Sequence, residues 1–146
     1  MAPHGPTLLR LALGLVFVAH GAQKLFGFGG GGGLSATAAL FAQAGLAPAF
    51  VLAMLIALVE TFGGLLLLAG LFTRIAAGLF TIEMLVAVWK VHLANGFFLN
   101  WNNATGVGHG YEFNLVLIAA LVSLLLTGPG ALSIDRPKAP PPSGAL

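Results

Sequence analysis

Four long apolar stretches restrict the fold of this chain more than any other feature of its sequence. They lie at about residues 7–26, 49–71, 75–93 and 112–127. A helix of about 20 residues, rising about 1.5 Å per residue, matches the roughly 30 Å hydrocarbon core of a bilayer. With 58% apolar residues, 7% charged residues and a mean hydropathy of +1.00, the chain is far from the composition of a soluble domain. We therefore predict an all-α fold: a polytopic membrane four-helix bundle with short connecting loops.

The chain is predicted to form one transmembrane domain over residues 1–134, followed by a disordered, Pro-rich tail over residues 135–146. A further short helix, capped by Ser35 or Thr37 and extending to about Ala44, is expected at the membrane surface. The first apolar stretch is interpreted as a membrane helix rather than a signal peptide, because no small-residue cleavage site follows it.

The basic residues near the predicted helix ends predict the orientation of the chain in the membrane. Arg10, Arg74, Arg136 and Lys138 lie on one side of a four-span topology, and Lys24 and Lys90 lie toward the other. By the positive-inside rule, both termini and the tail are predicted to be cytoplasmic.

Charge and cysteine content exclude several classes of function. A net charge of +2 with scattered basic residues does not form a nucleic-acid footprint, so no nucleic-acid partner is expected. The chain has no cysteine, which excludes disulfide exchange and cysteine-bound iron–sulfur clusters. Any redox role would therefore use a bound cofactor or a partner. No metal site is predicted, because the Glu-x-x-His pairs of a di-iron bundle are absent.

Ionisable residues interrupt the apolar stretches. His20 and Lys24 are four residues apart and share a helix face, Glu60 and Glu83 lie near the middle of their stretches, and Glu112 opens the last one. A charge at the bilayer centre costs at least about 2.5–3.5 kcal/mol, so such residues normally face the bundle interior and pair with one another. They either form ion pairs that set the helix register or line a cavity for a polar or redox-active ligand.

Small residues accompany these charges on four predicted buried stripes. The stripes are Arg10, Gly14, Phe17, Gly21 and Lys24; Ala53, Ala57, Glu60 and Gly64; Ala76, Glu83, Ala87 and Lys90; and Glu112, Val116, Ala119 and Ser123.

Two cofactors are compatible with these residues. His20 and His92 could be axial haem ligands, although no C-x-x-C-H attachment motif is present, and haem is the weaker alternative. A quinone ring could instead accept hydrogen bonds from Lys24 or His20 while a glutamate relays protons. The aromatic residues Trp89, Phe97, Phe98 and Trp101 fit either a wall for such a ring or an ordinary interfacial belt.

A set of short motifs, taken in order, resembles the DoxX family of small four-helix membrane proteins. The motifs are HGAQKLFG at 20–27, ETFGG at 60–64, LFTR at 71–74, VHLANGFF at 91–98, GYE at 110–112, and GPG at 128–130 with SID at 133–135. The resemblance implies a location in the bacterial inner (plasma) membrane and a link to membrane oxidoreductases, one of them a thiosulfate:quinone oxidoreductase. The polar positions of this chain that match the family pattern are His20, Lys24, Glu60, Arg74, His92 and Glu112. Glu83 and Lys90 are predicted only from the helix faces on which they lie.

Two main functional hypotheses follow, beside a carrier for a small polar solute, for which four short spans without an internal repeat offer little room unless the protein oligomerises. In the first, the chain is a quinone-interacting subunit of a membrane oxidoreductase system. Its proton-transferring residues would be Glu60, Glu83 and Glu112, and its cofactor-binding residues would be His20, Lys24, Lys90 and His92. In the second, it is a non-catalytic anchor or assembly subunit whose charges hold the bundle together and whose outer loops dock a protein partner or a second copy of the chain. Membrane lipid is an expected partner in both.

Overall fold

The computed structural model describes residues 4–135, and the regular elements within that range are helical. They are α1 (His4–Phe26), α2 (Gly33–Gln43), α3 (Ala49–Ala69), α4 (Thr73–Ala87) and α5 (Glu112–Thr127). The prediction of an all-α bundle is confirmed, and the predicted short helix is α2, which packs beside α3 and α1.

Three helical segments in the described range are long and apolar enough to cross a membrane. They are His4–Phe26, Ala49–Ala69 and Thr73–Asn95, the last because a π turn (Val88–His92) and a 3-10 turn (Leu93–Asn95) extend α4. Helix α5 is also apolar but has only 16 residues, or about 24 Å at about 1.5 Å per residue. The fourth span over residues 112–127 therefore stays a prediction.

The contact between α1 and α3 is the most extensive in the bundle, and glycines allow the two backbones to approach closely. A methyl group built on Gly14 would lie 2.9 Å from the carbonyl oxygen of Gly64, and one built on Gly64 would lie 2.9 Å from that of Gly14. Small residues allow helix backbones to approach this closely in lipid. The buried faces predicted for the first two long helices are confirmed, except that Lys24 at the end of its stripe is only partly buried.

Helix α5 packs on α4 with a different face from the predicted one. Its buried residues are Asn114, Leu117, Leu121 and Leu124, whereas Val116, from the predicted stripe, is 64% exposed. The prediction that small residues form the buried face was wrong for α5. Leucine side chains fill the space between α4 and α5, so no close approach of the two backbones is needed. Across the bundle, Phe17 of α1 stacks on Phe80 of α4 with ring centroids 3.7 Å apart.

Residues 128–135 form a segment, here called the C-terminal strap, that lies on the turn between α3 and α4. The backbone N–H of Asp135 donates to the carbonyl oxygen of Gly70 over 2.8 Å. The Asp135 carboxylate accepts hydrogen bonds from the backbone N–H groups of Phe72 (3.0 Å) and Thr73 (2.9 Å) at the start of α4. Asp135, which the sequence analysis placed in the tail, is thus part of the domain. Residues 136–146, the rest of the predicted tail, lie outside the described range.

Arg10 attaches the strap to the helices. Arg10 is 1% exposed, and its guanidinium group donates hydrogen bonds to four backbone carbonyl oxygens, those of Leu67, Leu68, Pro129 and Leu132. The bundle therefore has two distinct ends. The strap side carries Arg10 and residues 128–135, and the loop side carries the glycine-rich connection of residues 27–33.

Candidate functional site

Lys24 and Glu60 form an ion pair between α1 and α3. The Lys24 Nζ atom lies 2.5 Å from Glu60 Oε2, and the two side chains are 21% and 3% exposed. The close approach of α1 and α3 places the last turn of α1 beside the middle of α3. The prediction that buried charges face inward and pair is confirmed for these two residues.

Glu83 brings a second carboxyl group to this pair from α4. Its carboxyl group lies next to that of Glu60, close enough for a hydrogen bond between them. A hydrogen bond between two carboxyl groups requires that one of them carries a proton. The Glu83 Oε2 atom is buried and has no hydrogen-bond partner among residues 4–135. Lys24, Glu60 and Glu83, here called the carboxyl cluster, thus combine one cation, two carboxyl groups and one unused acceptor atom.

His20 lies near the carboxyl cluster, on the surface of the loop side. It lies one helical turn before Lys24 and interacts electrostatically with both Lys24 and Glu60. Its ring is exposed and lines an open groove of about 400 Å³, together with Gln23 and with Phe28 and Gly29 of the glycine-rich connection. The structure therefore brings together four of the seven predicted site residues, His20, Lys24, Glu60 and Glu83.

A second groove, of about 360 Å³, lies between α3 and α4 and is lined by apolar residues. Its walls include Phe62, Gly63 and Leu66 from α3, and Ile75, Leu79 and Phe80 from α4. Gly63 and Phe80 are each three residues, or about one helical turn, from Glu60 and Glu83 respectively. The groove therefore lies beside the part of the bundle that holds the carboxyl cluster.

His92 and Glu112 make their hydrogen bonds within the loop between α4 and α5. The His92 Nδ1–H group donates to the carbonyl oxygen of His109 over 2.9 Å. Glu112 Oε1 accepts a hydrogen bond of 2.8 Å from the backbone N–H of Leu99. These contacts order the Asn-rich loop, and the predicted roles of His92 in cofactor binding and of Glu112 in proton transfer stay predictions.

Lys90 lies in the π turn that follows α4, where its Nζ atom is 4.1 Å from the centre of the Trp89 ring. A π turn is wound differently from an α-helix, so the face shared by Glu83 and Ala87 does not continue to Lys90. The cation–π contact gives Lys90 a partner that the predicted stripe did not include. Its role in cofactor binding stays a prediction.

The residues of the carboxyl cluster also lie within the part of the chain that matches a known protein family. The family model described as DoxX matches residues 5–93, which include α1 from its second residue onward, all of α3 and α4, and the whole carboxyl cluster. This chain belongs to the DoxX family. None of the solved structures matches it significantly.

Relatives of this DoxX protein include bacterial proteins named as membrane proteins and one named as a putative oxidoreductase. A Bacillus subtilis (strain 168) protein named "Putative oxidoreductase CatD" is 34% identical over 131 residues, covering 90% of this chain and 84% of the relative. "Inner membrane protein YqjF" of Escherichia coli (strain K12) is 32% identical over 133 residues, covering 90% of each chain. "Uncharacterized membrane protein Rv3486" of Mycobacterium tuberculosis (strain ATCC 25618 / H37Rv) is 34% identical over 140 residues, covering 92% of this chain and 81% of the relative.

Two polar residues of the DoxX bundle, Asn114 and Asp135, were not predicted as functional or structural positions, and the partners of a third, Arg10, were not predicted. Asn114 is buried in α5, and its Nδ2 group lies 3.5 Å from the sulfur of Met84, the residue after Glu83. The available signal was the one used for the glutamates, a polar side chain inside an apolar stretch. Asp135 had no such signal, because its partners are 62 and 63 residues away. Arg10 was placed on the correct face, but its carbonyl partners could not be predicted.

Proposed function

We propose that this DoxX protein is a quinone-interacting subunit of a membrane oxidoreductase system, with the quinone head held at the carboxyl cluster. The observation that carries the proposal is the buried Glu83 Oε2 atom, which has no hydrogen-bond partner among the described residues. An unpaired buried acceptor costs free energy, so a ligand that donates an O–H group would be stabilised there. The hydroxyl group of a hydroquinone is such a donor.

The other members of the cluster fit the same ligand. The Lys24 ammonium group and the exposed His20 ring can donate hydrogen bonds to a quinone oxygen. Glu60 compensates the charge of Lys24, and either carboxyl group can hold a proton. A bound quinone supplies reversible two-electron chemistry coupled to protons. The apolar groove between α3 and α4 offers the hydrocarbon surroundings that an isoprenoid tail needs.

We propose that a second protein supplies the electrons. The chain has no cysteine, and no three His, Asp or Glu residues within residues 4–135 converge to hold a metal ion. Supplying a quinone site to a redox partner is therefore the role proposed for this chain. The name of the Bacillus subtilis relative supports a link to oxidoreductases.

The topology proposed for this function has four spans in the bacterial inner membrane, with both termini cytoplasmic. The name of the Escherichia coli relative YqjF, an inner membrane protein, supports the inner membrane. The positive-inside rule supports the orientation, which puts the carboxyl cluster and His20 in the outer half of the bundle.

The test is mass analysis of lipids extracted from the protein after purification in mild detergent. We expect stoichiometric quinone with the natural chain and its loss in Lys24→Ala and Glu83→Gln. Arg74→Ala is the matched control, because it also removes one cation but lies at the start of α4 on the strap side. Extracts that contain phospholipid alone, from all of these proteins, would refute the quinone proposal.

The ion pair itself favours a second candidate, a non-catalytic anchor or assembly subunit. Lys24 and Glu60 satisfy each other and join α1 to α3, which is a sufficient structural reason for both charges. In that case Glu60→Gln lowers the stability of the protein or the yield of its complex, and no variant changes a quinone signal. Glu83→Gln separates the two functions, because it alters the unused acceptor and leaves the ion pair in place.

A further inference from the structure

Within residues 4–135, the ionisable residues around the carboxyl cluster continue toward the loop side. Glu83 lies next to Glu60, Glu60 pairs with Lys24, and His20 interacts with both members of that pair. The His20 ring is exposed in the groove beside the glycine-rich connection, where Gln23 is a second polar neighbour. A chain of groups that can hold or pass protons therefore reaches the surface on the loop side.

Toward the strap side, an apolar layer built from four helices covers the cluster. Its members are Leu13, Phe17, Leu67, Phe80, Leu121 and Leu124, each at most 4% exposed. On α1 the layer separates Arg10 from His20, and on α3 it separates Glu60 from the strap. At its centre the Phe17 and Phe80 rings stack with an angle of 3° between their planes, which leaves no space for water between them.

The strap adds a second closure below this layer. Arg10 lies between the helix ends and the strap, and its hydrogen bonds go to backbone carbonyl oxygens at that end of the molecule. Each charged group that faces the cluster from the packed helices lies on the loop side of the layer: His20 and Lys24 on α1, Glu60 on α3 and Glu83 on α4. Helix α2 contains no ionisable residue, and Glu112 at the start of α5 binds the loop backbone.

We propose that the carboxyl cluster exchanges protons with one side of the membrane only, the loop side, and that His20 is the group through which the protons pass. A proton that leaves the cluster goes to a ring nitrogen of His20, and His20 gives a proton to water in the groove. No electron moves in this step. The inference rests on the proposed function in one respect, that the cluster is its proton-handling site. It adds that quinol oxidation there would release protons to the loop side alone.

Because the chain contains no cysteine, single-cysteine variants can test the closure directly. The probe is a membrane-impermeant maleimide, added to sealed vesicles of either orientation. We expect His20→Cys and Gln23→Cys to react only from the loop side, and Leu67→Cys and Leu121→Cys to react from neither side until the protein is unfolded in detergent. Leu132→Cys, at an 86% exposed position in the strap, marks the opposite side. Labelling of Leu67→Cys from the strap side as fast as Leu132→Cys would overturn the proposal.

The role of His20 is tested by infrared spectroscopy of the carboxyl band that Glu83→Gln removes. After a pH step on the loop side of sealed vesicles, we expect a fast change in this band, and no change after a step on the strap side. His20→Phe should slow the change by about a hundredfold, the usual contribution of a positioned proton donor or acceptor, while Gln43→Leu, at an exposed position outside the groove at the end of α2, should leave it unchanged. Equal responses from the two sides, or an unaltered rate in His20→Phe, would refute the proposal. Neither experiment uses quinone, so an extract without quinone would refute the proposed function and leave this inference standing.

Discussion

Arg10 and Lys24 show two ways in which an apolar helix can contain a cation. Arg10 is buried against backbone carbonyl oxygens, and its planar group with several N–H donors suits acceptors that lie in different directions. Lys24 is only partly buried and meets a single carboxylate. The first arrangement holds backbone segments together, and the second leaves one side of the ammonium group accessible to a ligand.

Replacement of Arg10 by lysine is expected to lower the free energy of unfolding by about 3 kcal/mol, because a lysine cannot satisfy all the buried carbonyl groups that Arg10 satisfies. Reversible unfolding in mixed detergent micelles measures the change. Arg74→Lys is the matched control, since Arg74 is exposed and makes one 3.3 Å hydrogen bond, to Leu126. Its effect should stay within about 0.5 kcal/mol. Equal effects of the two variants would contradict the role given to Arg10.

The Lys24–Glu60 pair is expected to show a measurable coupling energy. Lys24→Met leaves Glu60 buried without a cation and should cost about 1–3 kcal/mol of unfolding free energy, between the values for exposed and buried pairs. A double-mutant cycle with Glu60→Gln measures the coupling, and the double variant should recover part of the loss. Additive effects of the two substitutions would show that the pair does not contribute to stability.

At the scale of the helices, the distance between two packed backbones decides whether small residues or leucines are buried between them. Where α1 crosses α3, glycines and alanines are buried, and the periodicity of small residues predicted the contact correctly. Where α5 meets α4, leucines are buried and the same rule was wrong. The π turn after Ala87 is a further feature that periodicity did not reveal, because a regular helical wheel assumes that the winding stays constant.

Gly64→Ala is expected to separate α1 from α3 and to weaken the Lys24–Glu60 pair. Its methyl group would lie 2.8 Å from the backbone nitrogen of Val18, so one of the helices has to move. Thermal unfolding in detergent should show a clear decrease in Tm. Gly78→Ala is the control, because its nearest neighbour would be a leucine methyl group at 3.9 Å. There we expect no loss, or a gain of up to about 1 kcal/mol from helix propensity. A similar loss at Gly78 would indicate a general helix effect rather than close packing.

At the scale of the whole molecule, the first and last parts of the described chain close the same end of the bundle. Arg10 near the start binds carbonyl groups of the strap, and Asp135 binds the first turn of α4. The contact of Arg10 joins residues more than 100 positions apart in the sequence, and the contact of Asp135 joins residues 62 positions apart. The strap therefore holds both helix pairs, α1 with α3 and α4 with α5, in one arrangement.

Truncation of the chain tests this closure. A chain that ends after Thr127 loses the strap acceptors of Arg10 and the carboxylate that binds the start of α4, and it should unfold at a clearly lower temperature. A chain that ends after Asp135 keeps all these bonds and is the matched control. The Asp135→Ala variant should lose about 1 kcal/mol, the usual effect of removing a helix cap. Similar melting temperatures for the two truncated chains would contradict the role of the strap.

The sequence by itself determined three helices that are long and apolar enough to cross a membrane, the faces on which α1 meets α3, and the pairing of Lys24 and Glu60 inside the bundle. Each of these follows from local periodicity and from the free-energy cost of a charge in lipid, which are properties of short segments. Only the tertiary structure decided which groups become partners: Glu83 with Glu60, Arg10 with the strap, Asp135 with α4, and Lys90 with Trp89. Most of these pairs join residues far apart in the chain, and the contact of Lys90 with Trp89 depends on the π turn after Ala87. Such contacts are fixed by how whole helices pack, which no local pattern records.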